Sequence, residues 1–507
     1  MRAIPVESPH QGLTGVARRS NMRDFISGME NRLRKSDARS RWLTIALIAA
    51  LPCLNLIVFS WLAASTMVSR DQWYFIPMVR DYLTGDFHLF SLWETHSQHR
   101  TPGYKLLFLL NADFFRLNMR IDVMLGLVAL TSSVLLLMRR FRDTLPIESK
   151  AAPLWLGLAS FAVIGFNMNQ WYDTTYALTA FGGYASILCF VVLWLMLDTQ
   201  LRHTGSSLGV ASLCLMLAFT LMIFAGGMGP ALIMSMLGVS ALAMLVEHKL
   251  DKAAIVLLAW LALSAAACEL VYWGTGGIHL STPHSQPFTQ VLARNPSSVL
   301  QYLLLSFASS TIPADALEKH FHGLGHTISL LMGAGMACLY IGCTWIYLRL
   351  RMWKTSYMPA FLIAFSTLFI LSTLAVRLPA TGLEAATAPR YVLYSQLGNL
   401  GCLWILFQWS GTVGHLQRPP FLSPVSCFVA VFLLYALGVA ALWDYYPTAV
   451  HDMEIGTQEI MTGDFDHPDW LCPDIQLCRT GRATLVHYRL QPFSDKSHAK
   501  ADGANQP

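Results

Sequence analysis

Charge is what this chain lacks. Of its 507 residues only 13% are Asp, Glu, Lys or Arg, while 54% are hydrophobic. A soluble domain carries about 25% charged residues. The mean hydropathy of +0.46 agrees. These values exclude a soluble enzyme on a single anchor and leave a polytopic membrane protein. The formal net charge is only +5. Most of it is accounted for by loop asymmetry, so no nucleic-acid partner is read from it. Cysteine is scarce as well, at 10 residues, eight of them in or beside apolar stretches where they read as packing groups. Only Cys472 and Cys478 sit together in a polar segment. No internal repeat is visible. The first apolar run follows 41 polar residues and has no small-residue cleavage pattern after it. It therefore reads as a retained span and not as a signal peptide.

What is abundant is long apolar sequence. Runs fall at roughly 43–65, 123–138, 152–166, 177–197, 207–224, 230–246, 253–273, 324–348, 357–376, 391–408 and 422–443, and the one Asp, Glu, Lys or Arg inside them is Glu269. Most approach the ~20 residues a bilayer needs. Unpaired backbone is not viable in lipid, so each run is expected to be a helix. The expected fold is all-α, a polytopic membrane protein of about 11 transmembrane helices. Ser298–Ser310 is apolar but short, and is expected to be interfacial or re-entrant.

Orientation follows from the Lys/Arg of short loops. Arg139, Arg140, Arg142 and Lys150 share one loop, Lys249 and Lys252 another, and Arg349, Arg351 and Lys354 a third. The alternate loops 167–176 and 225–229 have neither residue type, and the first 41 residues hold nine Lys/Arg against four Asp/Glu. The N-terminus is expected in the cytoplasm and the C-terminal tail outside. The expected organisation is a basic cytoplasmic tail 1–42, a membrane domain 43–443 with a first outer loop at about 66–122, and a periplasmic tail 444–507. Cys472 and Cys478 fit a local disulfide in that oxidising compartment.

The acidic residues and the polar aromatic clusters gather on the outer side, so the chemistry is expected to face the periplasm. Asp71 stands a few residues after the first span. Trp73, Tyr74 and Trp93 read as interface-belt rings touching membrane lipid. His96-x-x-His99-Arg100 is a compact cationic cluster, whose members would share a face if helical. It can be read as a metal site or as a phosphate clamp built on the planar Arg fork. With only Glu94 as a further nearby ligand, phosphate is preferred and no metal is assigned. Arg377, Glu384, Arg390 and Tyr391 form a second outer group, where two arginines against the charge bias call for an anionic partner. Asn167–Tyr176, with Asp173, is rich in amide and hydroxyl groups that suit a sugar. They suit a plain polar turn equally well. Gly226–Gly229 is a tight turn that backbone or ligand can approach. Glu269 is a lone intramembrane carboxylate.

These residues carry a resemblance. The chain resembles the GT-C class of membrane glycosyltransferases. More narrowly, it is similar to a group of bacterial multi-span members whose reactions include arabinofuranose transfer to type IV pilin. Asp71-Gln72-Trp73, His96 to Arg100, Gln170-Trp171 and Arg377…Ala388-Pro389-Arg390-Tyr391 carry it, over roughly 43–443. Two features depart from the class. Asp71 is followed by Gln72 where many members pair two acids, and only 64 residues follow the last apolar run.

The resemblance implies a polyprenyl-phosphate-linked sugar donor and a protein or glycan acceptor, pilin among them. Asp71 would be the general base of an inverting transfer. His96, His99, Arg100, Arg377 and Arg390 would neutralise the departing phosphate. Asp81, Glu94, Asp173 and Tyr391 would line the substrate site. No cofactor is specified. Two other classes fit the composition: a transporter or flippase of lipid-linked glycans, and a polysaccharide polymerase or ligase. The repeats, interrupted spans and mid-membrane charges of a transporter are not evident.

Overall fold

The structure is a computed structural model and describes residues 38–96, 99–145, 151–202, 207–247, 252–275, 287–412, 423–465 and 471–494. The expected tail 1–42 lies, up to residue 37, outside the described residues. The helices are α1 (Ala38–Ala63), α2 (Ile76–Thr84), α3 (Pro102–Phe115), α4 (Met119–Thr144), α5 (Ala151–Gly165), α6 (Trp171–Thr175), α7 (Ala177–Arg202), α8 (Ser207–Phe219), α9 (Gly229–Glu247) and α10 (Lys252–Gly274). They continue as α11 (Phe288–Arg294), α12 (Pro296–Ser309), α13 (Ala314–Phe321), α14 (Gly325–Arg349), α15 (Met358–Thr381), α16 (Pro389–Thr412), α17 (Pro424–Thr462) and α18 (Ile475–His487). Among the described residues the one ladder is a two-residue pair, β1 (Thr95–His96) with β2 (His99–Arg100).

The fold is all-α, and the chain is a multi-pass membrane protein. All eleven apolar runs are helical, and nine helices are long and apolar enough to cross a membrane among the described residues. The other two are α5 and α16. Helix α5 has 15 residues, about 22 Å at the helical rise. Helix α16 is long enough but carries Ser395, Gln396, Asn399 and Gln408, all buried. It runs through the middle of the bundle, where protein and not lipid satisfies those groups. Tyr340 Oη donates to Asn399 Oδ1 at 3.0 Å, Gln408 Nε2 donates to the Thr144 carbonyl at 3.3 Å, and Gln396 donates to the Ile164 carbonyl. The lipid-facing helices show the opposite pattern, with Ile255, Trp260, Leu263 and Leu270 of α10 exposed. An apolar face of that extent marks a membrane or a partner.

Glycines set the closest crossings. A Cβ on Gly126 of α4 would stand 2.7 Å from the Ala180 carbonyl of α7. One on Gly401 of α16 would stand 2.9 Å from the Pro359 carbonyl of α15. Small residues of this kind let membrane helices pack backbone to backbone. At the end that carries the Lys/Arg-rich loops, buried Asp198 joins three elements. It accepts from Arg140 Nη2 at 2.5 Å, from the Tyr357 N–H at 2.7 Å and from Ser356 Oγ at 3.3 Å.

Helix α12 resolves the short apolar segment. Its end reaches α16, where Asn399 Nδ2 donates to Ser310 Oγ at 3.0 Å. Asn399 is ten residues into α16, about 15 Å from its start. The chain then returns through α13 to Gly325 at the head of α14. Helices α12 and α13 thus form a short helical pair packed against α16 that returns the chain to the head of α14. Helix α17, which opens as the last apolar run, continues unbroken to Thr462. The expected disulfide is present between Cys472 and Cys478.

Candidate active site

Asp71 sits on a six-residue 3-10 helix, Arg70–Phe75, directly after α1. Two buried neighbours hold the turn. Gln72 accepts from the Ser69 N–H at 3.0 Å and donates to the Tyr104 hydroxyl at 2.7 Å. Trp73 donates from its indole N–H to the Leu471 carbonyl at 3.0 Å. Gln72, the residue after Asp71, thus anchors the turn. Trp73 is 0% exposed, which corrects its reading as a lipid-facing belt ring: protein covers it, while Tyr74 remains exposed. Asp71 itself is exposed.

Arg70 opens the turn in the left-handed region, at φ +53°. For a residue with a Cβ this costs on the order of 1–3 kcal/mol. Contacts across the site offset it. Nη1 donates to the Tyr172 hydroxyl at 2.9 Å. The guanidinium lies 4.9 Å from the Tyr172 ring centroid and 6.0 Å from that of Tyr176. Tyr172 lies on α6 and Tyr176 ends it; the 3-10 turn before α6, Met168–Gln170, is capped by Asn167, whose Oδ1 accepts from the Asn169 N–H at 3.0 Å.

Tyr172 is the meeting point of the charges. Burial raises its hydroxyl above the usual phenol range; the charges of Arg70 and Arg390 pull it back and that of Asp71 adds to the rise. Asp71, Arg70 and Arg390 therefore share one electrostatic neighbourhood. Arg390, at the head of α16, lies 5.1 Å from the Tyr391 ring centroid. Arg377 and Arg390 both act on the hydroxyl of Tyr302, on α12. Asp173 lies behind them, 2% exposed. Burial pushes its carboxyl well above the carboxylate range, against a hydrogen bond from Thr179 and the charge of Arg390. Among the described residues its Oδ2 has no hydrogen-bond partner.

A cleft of about 90 Å³ opens beside Arg70. Trp171, Tyr172, Tyr176 and Tyr445 give it aromatic walls, and Asp452 faces it from α17. Rings with a few hydrogen-bonding groups are the chemistry that holds a sugar.

The remaining sequence candidates lie in other contacts. Thr95–His96 and His99–Arg100 pair as an antiparallel ladder and not a helix, with His96 opposite His99 and Thr95 opposite Arg100. Side chains alternate along a strand, so His99 and Arg100 point to opposite faces. Arg100 is 4% exposed. Its Nε donates to the Tyr272 carbonyl at 3.1 Å, its Nη1 donates to the Trp93 carbonyl, and its guanidinium stacks 5.4 Å from the Trp93 ring centroid. The Gly226–Gly229 turn accommodates His99: a Cβ at Gly227 would stand 2.5 Å from His99 Cε1. Glu94 offers its carbonyl to Lys105 Nζ at 2.8 Å. Asp81 pairs with Arg80 at 2.8 Å on an exposed face of α2. Glu269 accepts from Trp273 Nε1 at 2.6 Å, one turn along α10.

The fold thus gathers Asp71, Asp173, Arg377, Arg390 and Tyr391 around Tyr172 and Tyr302. Tyr172 and Tyr176 lie in the segment 167–176 that the sequence offered for a sugar, whereas Arg70, Tyr302 and Asp452 belong to this site and were not singled out from the sequence. The available signal was Arg70's place immediately before Asp71. Asp452 was hidden in a segment read as tail.

No family model matches the chain, and no curated protein matches it. Among solved structures it is similar to the archaeal oligosaccharyltransferase AglB from Archaeoglobus fulgidus, solved in complex with an inhibitory peptide and a dolichol-phosphate. The TM-score is 0.39 and the identity 14%, over 90% of this chain. The chain spans 61% of the length of that structure.

Proposed function

We propose that this chain is a GT-C-type glycosyltransferase that moves a sugar from a polyprenyl-phosphate donor to a hydroxyl of a protein or glycan. The proposed location is the periplasmic face of a bacterial inner membrane. One observation carries the reading: exposed Asp71 shares with Arg70 and Arg390 the electrostatic neighbourhood of Tyr172, beside an aromatic cleft at the end of the first span.

In this mechanism the donor's prenyl tail stays in lipid and its phosphate stands at headgroup depth. Asp71 takes the proton of the acceptor hydroxyl. The acceptor oxygen bonds to the anomeric carbon as the bond from that carbon to the phosphate oxygen breaks, and the electron pair leaves with the lipid phosphate. A single base and in-line attack invert the anomeric carbon. Arg390 and Arg377 neutralise the leaving phosphate, so it needs no protonated acid. Asp173 and the cleft rings orient sugar hydroxyls. Arabinofuranose and type IV pilin, the pair implied by the resemblance, are the sugar and acceptor to test first.

The test is a transfer assay with the full chain in lipid nanodiscs, short-chain polyprenyl-phosphate sugars and candidate acceptors, with products read by mass spectrometry. A mass increment of one sugar on the acceptor supports the proposal. Unchanged acceptors across a panel of donors, with the protein folded, would contradict it.

A further inference from the structure

The segment after α17 packs directly on the turn that carries Asp71. Trp73 meets Phe465 edge-on, with ring centroids 6.0 Å apart, and donates to the Leu471 carbonyl at 3.0 Å. Gly481 of α18 lies flat against the indole: a Cβ there would stand 2.9 Å from Cε3. Three walls around one buried side chain therefore come from the far end of the sequence.

That segment is itself tied down at several points. The disulfide joins Cys472 to Cys478 across the start of α18. Asp474 caps the helix by accepting from the Leu477 N–H at 2.9 Å. Arg482 donates to the carbonyls of Ile460 at 2.7 Å and Met461 at 2.6 Å, at the end of α17. The Gln491 N–H donates to the Arg116 carbonyl at 2.9 Å, just past α3.

A 3-10 helix turns once in three residues, so side chains at 71, 72 and 73 point about 120° apart. Gln72 is pinned on one side by Tyr104 and Trp73 on the other by the C-terminal segment. Fixing two of the three directions fixes the third, which belongs to Asp71.

We propose that Trp73 and the disulfide-closed segment 471–490 are positioning elements for Asp71: the C-terminal segment clamps Trp73 and thereby sets where the carboxylate stands. The proposal rests on the reading of Asp71 as the base. It assigns the C-terminal segment a part in the reaction without contact with substrate, and it makes activity depend on oxidation of Cys472 and Cys478.

The test uses the full chain in nanodiscs, with Gly481→Ala, Trp73→Phe and the paired Cys472→Ser, Cys478→Ser variants. Trp73→Phe keeps a ring but removes the donor to Leu471. Hydrogen exchange at residues 70–76 is the readout independent of activity, and it is expected to quicken severalfold in each case. For transfer, kcat is expected to fall about 10- to 100-fold with the donor KM unchanged, the scale of a misplaced catalytic group. On an Asp71→Asn background, Gly481→Ala should change the residual rate less than about twofold, because the group it displaces is already absent. Unchanged exchange at 70–76 in all cases would overturn the clamp, as would a fully additive loss on the Asp71→Asn background. Wild-type activity of Asp71→Asn alone would instead overturn the base assignment, leaving the clamp to be judged by exchange.

Discussion

Arg70 and Tyr172, 102 residues apart in sequence, are joined by a 2.9 Å hydrogen bond, and the guanidinium also lies over the phenol ring at 4.9 Å. The bond ties the turn bearing Asp71 to α6. It also keeps a permanent cation beside the cleft.

Arg70→Lys retains the charge and loses both the planar fork and the stack. Transfer kcat/KM is expected to fall about tenfold, equivalent to ~1.4 kcal/mol of transition-state stabilisation. Tyr172→Phe should fall similarly. The double variant should be little worse than either single one, because both remove the same contact. Steady-state kinetics of the four proteins checks this; fully multiplicative losses would refute the coupling.

Asp173 gives a pH signature. Burial raises its carboxyl well above the usual range in the folded protein, whereas the unfolded chain ionises near pH 4. Between those values the folded state holds the extra proton. Stability from this group is thus fully present below about pH 4 and is lost as pH rises through the raised folded value. Asp173→Asn removes that dependence, so its Tm should fall less steeply than the wild type's from about pH 4 upward. Thermal unfolding followed by tryptophan fluorescence across pH would show parallel curves if the assignment were wrong. Asn still offers a donor, so transfer should stay within about threefold. Asp173→Ala leaves its partners unpaired and should lose about tenfold or more.

Arg390 and Arg377 are assigned to the donor phosphate. Arg390→Lys is expected to raise the donor KM about tenfold through loss of the bidentate fork, with acceptor KM and helical content unchanged. Arg377→Lys should act in the same direction. A rise in acceptor KM alone would move both arginines to the other substrate.

Much of this fold was legible because lipid leaves an apolar run of some twenty residues only one backbone solution. The exceptions have local causes. Helix α16 shows its span poorly, because its Gln396, Asn399 and Gln408 are paid for by partners on other helices. Spacing alone cannot separate a strand pair from a helix at His96–Arg100, since positions three apart are neighbours in both. Asp71 stands out in the sequence by its short distance from the first span. The wall formed by Tyr445 and Asp452 was not, because α17 extends beyond its apolar run. Nor does anything local to Trp73 announce Leu471, 398 residues away.

The most direct test of the central claim is transfer by Asp71→Asn, which keeps the shape of the side chain and removes its basicity. The full-length variant in nanodiscs, at wild-type membrane levels and with unchanged helical content, should transfer sugar about 100-fold more slowly or worse, the scale of a lost general base, while its donor KM stays near the wild-type value. Transfer within about threefold of wild type would contradict the assignment of Asp71 as the base.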